Sequence, residues 1–131
     1  MNKKFLAGVM LLPFAAATLV ATSPVASAGT VPTIVSGRCS MGSHWTMKAK
    51  PDNGRMDLEL EVDTNRNRQA WTVRITDNRH LVFAGTKVTL APSGSFEVQK
   101  LATNRTGVDN FVGVAKNPRT HEVCVAKVRR R

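Results

Sequence analysis

Four acids alternate along RMDLELEVD, residues 55–63: Asp57, Glu59, Glu61 and Asp63. Carboxylates two apart on a strand stand about 6.6–6.8 Å from each other, which overlaps the separation used by inverting glycosidases. Those enzymes set their acids on opposite sides of a cleft, whereas neighbours on one strand point the same way. The chain also lacks the ring platform a sugar stacks on, with aromatics at 5% and no Tyr. Between the acids lie Met56, Leu58, Leu60 and Val62, so the pattern predicts a half-buried strand with its carboxylates on the solvent side. Directly after it, Asp63-Thr64-Asn65-Arg66-Asn67 has the D-x-N-x-N opening of a calcium loop. Arg68 stands at that motif's Gly position and Arg74 at its closing Glu, so the segment reads as a polar loop with Asx-type hydrogen bonds.

His44, His80 and His121 are the residues a small basic nuclease would need for proton transfer, with cations to hold phosphate. Each lies beside a predicted turn, and their spacing does not bring them together. Ser93 sits in PSGSF, which lacks the G-x-S-x-G elbow. Asn104-Arg105-Thr106 is a glycosylation sequon in a chain whose leader has a bacterial form, so no use of it is expected. No catalytic residue, cofactor or metal site is assigned, and the expectation is a protein that is not an enzyme. The two cysteines, Cys39 and Cys124, form no C-x-x-C. Free thiols or a metal site are the alternatives to a disulfide between them. Export favours the disulfide, whose long loop is worth about 4–5 kcal/mol before strain.

Export is read from the first 28 residues. Lys3 and Lys4 precede an apolar stretch, Phe5 to Ala21, and Ala26-Ser27-Ala28 fits the small-residue cleavage rule. A membrane anchor is the alternative, but the run is short, Pro13 interrupts it and no basic cluster follows. Cleavage would leave 103 of the 131 residues, one domain with room for a real core. Losing Lys3 and Lys4 lowers the net charge from +10 to +8. A secreted, extracellular protein this basic is drawn to anionic wall polymers, membrane surfaces or nucleic acid, although charge also serves solubility alone. The candidate anion-binding residues are Arg66 and Arg68 in one loop, Arg105 and Arg119 in two others, and the tail Arg129, Arg130 and Arg131. A specific nucleic-acid reader would interleave aromatics with them. Both tryptophans, Trp45 and Trp71, instead fall on predicted core faces.

The elements that must position these residues are short strands. Residues 29–36 read as a lead into a domain over 37–131, with the first strand candidate, Ile34–Met41, starting inside it. Further runs cover His44–Lys50, Arg55–Asp63, Ala70–Asp77, Leu81–Leu90, Ser95–Ala102, Asn110–Lys116 and Glu122–Val128. Pro51-Asp52-Asn53-Gly54, Asn78-Arg79 and Pro92-Ser93-Gly94 are turns, and Ala84-Gly85 is a candidate bulge. If TNRNRQ, residues 64–69, closes a symmetric hairpin, Val62 faces Trp71 and Glu59 forms a cross-strand pair with Arg74. The fold class expected is all-β: an antiparallel, immunoglobulin-like β-sandwich of about 7–8 strands closed by one disulfide. Cysteines near the two ends, rather than on middle strands, leave the topology open.

Cys39, GRMDLELEVDTNRNRQAW, APSGSF and HEVCVA together resemble a loose group of small secreted actinobacterial β-sandwich proteins, over most of residues 37–128. The resemblance implies fold and export and does not speak to function. The functional expectation is therefore a secreted, non-enzymatic binding module held to anionic envelope or extracellular polymers. The alternative is an inhibitor of an extracellular enzyme, presenting a loop such as TNRNRQ or TNRTG to that protein.

Overall fold

A computed structural model describes residues 19–23 and 31–131. The cleavage motif Ala26–Ala28 and most of the leader lie outside the described residues.

Eight strands form, each bounded by the turn chemistry that ends it: β1 (Thr33–Arg38), β2 (His44–Asp52), β3 (Arg55–Asp63), β4 (Ala70–Asp77), β5 (His80–Val88), β6 (Ser95–Thr103), β7 (Asp109–Lys116) and β8 (Val123–Arg130). Asn53 and Gly54 take positive φ between β2 and β3, as do Asn78 and Arg79 between β4 and β5. These two-residue loops are the tight hairpins that Asn-rich turns favour. The strands make two antiparallel sheets of four, ordered β1-β2-β3-β6 and β5-β4-β7-β8. The expected all-β architecture and the Cys39–Cys124 disulfide are both present.

Alternation decides what is buried. Trp45, Met47 and Ala49 of β2, with Met56, Leu58, Leu60 and Val62 of β3, meet Trp71, Val73 and Ile75 of β4 and Phe111 of β7 in one core. Trp71 and Phe96 bring rings from the two sheets to a 6.1 Å centroid distance. Gly113 lies under Leu60, where an added Cβ would stand 3.0 Å from a leucine methyl.

Two expectations fail on register. β3 pairs with β2 and β6, whereas β4 pairs with β5 and β7, so TNRNRQ crosses between sheets and closes no hairpin. Glu59 therefore does not pair with Arg74. It lies between Lys48 and Gln99, and its carboxylate bonds Lys48 Nζ at 2.5 Å. Arg74 lies between Ala84 and Val114 in the other sheet. Period-2 burial is the same for strands side by side and strands face to face, so the pattern could not separate the two. The bulge also moves. Ile75 opposes Phe83 while Thr76 opposes Leu81, which leaves Val82, not Ala84-Gly85, as the extra residue.

Candidate anion-binding site

The crossing of TNRNRQ gives the molecule a disulfide end, where residues 39–43, 64–69, 89–94 and 117–122 meet. Asp63 Oδ1 accepts the Asn65 amide, the Asx turn expected of this loop. Thr64 N donates to Gly94 O, and Arg66 N donates to Thr64 Oγ1. Thr89, fully buried, donates its hydroxyl to Arg66 O and accepts from Gln69 N. Its backbone exchanges two further bonds, Arg68 N to Thr89 O and Thr89 N to Gln69 O. Gly94 has φ +69, and a Cβ there would come within 2.7 Å of Asn65 C, so only glycine fits under the loop. Arg68 takes φ 59, the left-handed geometry that its place at the glycine position of the motif demands.

The facing loop is tied as closely. Asn117 Oδ1 accepts from Arg119 N and Thr120 N, and Asn117 exchanges backbone bonds with Glu122 and His121. Glu122 is buried, and its two oxygens accept from Ser43 N and Ser43 Oγ at 2.8 and 2.9 Å. The 39–43 loop is thereby fastened to the 117–122 loop beside the disulfide.

Between these loops runs a groove. One part, about 290 Å³, is lined by Arg68, Gln69, Asn117, Arg119 and Thr120. A neighbouring hollow of about 250 Å³ shares Gln69 and Thr120 and adds Arg66, with His44 and the acids Asp63 and Glu122 also in its lining. Arg66, Arg68 and Arg119, which come from separate predicted loops, are thus gathered at one end of the molecule on two rigid supports. Guanidinium groups on a pre-ordered frame suit the oxygens of carboxylates and phosphates.

The other sequence-predicted arginines lie elsewhere. Arg105 is at the opposite end, with its Nε 3.5 Å from Asp77 Oδ2. Arg129 is exposed on β8. Arg130 is bonded to Val31 O and Thr33 Oγ1, and Arg131 ends the chain. His80 begins β5 at the opposite end from His44 and His121, so the three histidines do not converge. Among the described residues no group of three or more His, Cys, Asp or Glu is gathered at metal-binding range.

Sequence reading missed three buried acids: Asp77, Asp109 and Glu122. Strand parity carries the signal that finds them. Asp77 continues the inward set Trp71, Val73, Ile75; Asp109 precedes Phe111 on the inward parity; Glu122 does the same before Cys124 and Ala126. At the opposite end the carboxyls of Asp77 and Asp109 lie beside one another, with Oδ2 of each buried and without a hydrogen-bond partner. Asp77 Oδ1 accepts Asn110 N and Asp109 Oδ1 accepts Arg105 N. Burial first, and then the Asp109 carboxyl beside it, push Asp77 above the ordinary carboxylate range, against the pull of the Asn110 amide and then of Arg105.

With those three internal, the other six of the nine acids, Asp52, Asp57, Glu59, Glu61, Asp63 and Glu97, belong to one sheet's outer side and its rim. The outer face of β5-β4-β7-β8 carries no acid at all.

No family model, no curated protein and no solved structure matches this chain.

Proposed function

We propose that the protein is a secreted, non-enzymatic binding module that holds anionic envelope or extracellular polymers at its disulfide end. The carrying observation is the convergence of Arg66, Arg68 and Arg119 on two hydrogen-bonded loops, in a molecule whose exposed acids keep to one sheet. Steering by the net charge of +8 that remains after loss of Lys3 and Lys4 from the +10 chain adds to that local site. A disulfide is compatible with an extracellular location. We read the sandwich as immunoglobulin-like. Setting β1 aside, β2-β3-β6 packs on β5-β4-β7-β8 with three crossings between sheets, and Trp71 is buried on the first strand of the second sheet. This reading keeps the proposed kinship with small secreted actinobacterial sandwich proteins.

The test is capture of the oxidised protein by the producing cell's envelope fraction and by culture supernatant, at low and high salt. Broad envelope capture that falls steeply with salt is expected. Replacing Arg66, Arg68 and Arg119 together by Gln should remove most of it. Undiminished capture by that variant would exclude the groove.

The rigidity of residues 64–69 also favours a second reading, the inhibitor, because pre-ordered loops bind enzymes with little ordering cost. Salt-resistant, saturable capture of one supernatant protein, abolished by a single loop substitution, would select it.

A further inference from the structure

The outer face of β5-β4-β7-β8 has a composition of its own. Cross-strand register sets Arg74, Val114 and Val125 in one row, and Thr76, Val112 and Lys127 in the next. Thr72, Lys116 and Val123 make the third row, and Asn110 with Arg129 begins a fourth. Four valines are therefore contiguous, and Arg74, Lys116, Lys127 and Arg129 ring them. Val125 is 45% exposed, so the patch is open to solvent. A shallow groove of about 360 Å³ runs over Val114 between Arg74 and Lys116.

We infer that this face docks on the headgroup surface of an anionic lipid bilayer, with the four cations at the phosphates and the valines against the headgroup–acyl boundary. Charge complementarity selects the occupant, since four cations and no acid face outward together. The aliphatic centre separates it from a hydrophilic polymer, which would leave the valines unmatched. A second copy of the chain fits less well. Its acidic face centres on Glu59, Glu61, Glu97 and Gln99, and its exposed aliphatics, Ile34 and Leu101, stand apart on the two edge strands, so the valines would meet carboxylates. The surface is distinct from the arginine groove of the proposed function and stands without it.

The experiment is vesicle flotation with the oxidised protein recovered from the medium of cells expressing the full chain. The vesicles are phosphatidylglycerol mixed with phosphatidylcholine, or phosphatidylcholine alone. Each Lys or Arg at an anionic surface accounts for about fivefold in affinity. Gln at Arg74, Lys116 and Lys127 together should therefore lower binding to the anionic vesicles about a hundredfold. Gln at Arg66, Arg68 and Arg119 removes the same charge from the disulfide end and should change vesicle binding far less, while removing polymer capture. Val125→Asp, an exposed substitution with the cations intact, should lower vesicle binding at least about tenfold. Circular dichroism and melting temperature report that each variant is folded. Equal losses from the two triple variants, or full binding by Val125→Asp, would overturn the docking surface, and neither result bears on the groove.

Discussion

Asp77 and Asp109 are two carboxyls buried beside one another. Burial and the neighbouring Asp109 carboxyl both disfavour the charged form of Asp77. The consequence for stability has a definite sign. Asp77 titrates higher in the folded chain than its ordinary value of about 3.9. The stabilisation from protonated Asp77 is complete below that ordinary value and is lost as pH rises through the folded value. Asp77→Asn keeps a hydrogen-bonding group without needing the proton. Urea unfolding from pH 4 to pH 8 should show the wild type's advantage over this variant greatest at the acid end and shrinking toward pH 8. A constant difference across that range would mean that Asp77 does not titrate above its ordinary value in the folded chain. The acids were legible by parity alone. They escaped notice because a polar residue at a strand end looks like the first residue of a turn, as in Asp77-Asn78-Arg79.

Among the elements, β3 and β4 show what alternation can and cannot decide. Each strand's buried side was readable residue by residue, and so were the turns at Asn53-Gly54 and Asn78-Arg79. Partner choice was not, because a six-residue connector can close a hairpin or cross between sheets, and both bury the same side chains. The difference has a measurable outcome. In the hairpin, Arg74→Glu would break a charge pair and set like charges opposite one another. In the observed sheet Arg74 is exposed between Ala84 and Val114, so the substitution should change stability by less than about 0.5 kcal/mol. Thermal unfolding of the variant checks this, and a large loss of stability would contradict the register. The acid ladder on β3 is balanced otherwise than expected. Lys48 bonds Glu59, and that hydrogen bond holds the Lys48 ammonium above its ordinary pKa, while Glu61 faces Glu97 without an opposite charge between them.

For the whole molecule, the disulfide and the charge distribution act together. Cys39–Cys124 joins residues 85 apart and links the end of β1 in one sheet to β8 in the other. Chain entropy alone gives such a closure about 4–5 kcal/mol. Replacing both cysteines by Ser should lower the unfolding free energy by about that amount. Denaturant titration with the slope unchanged reads it, and a loss below about 1 kcal/mol would show that the Ser43–Glu122 bonds fasten this end without help. The charge distribution follows from strand order. Bringing β3 and β6 together collects Asp57, Glu59, Glu61, Asp63 and Glu97 on one face, and placing β4 beside β7 and β8 leaves only cations on the other.

The sequence by itself determined the period-2 strands, the buried side of each, the turns that separate them, the only possible cysteine pair and the basic balance of the chain. These depend on neighbours within a few residues or on totals, and local sterics with burial of apolar surface fix them. Only the tertiary structure decided which strands pair, and with that which charges meet. It took Glu59 from Arg74 and gave it to Lys48, gathered Arg66, Arg68 and Arg119 from separate loops, and joined Asp77 to Asp109 across 32 positions of chain. The physical reason is that alternation specifies a face and never a partner. The partner is chosen by which crossing lets two apolar faces cover each other completely.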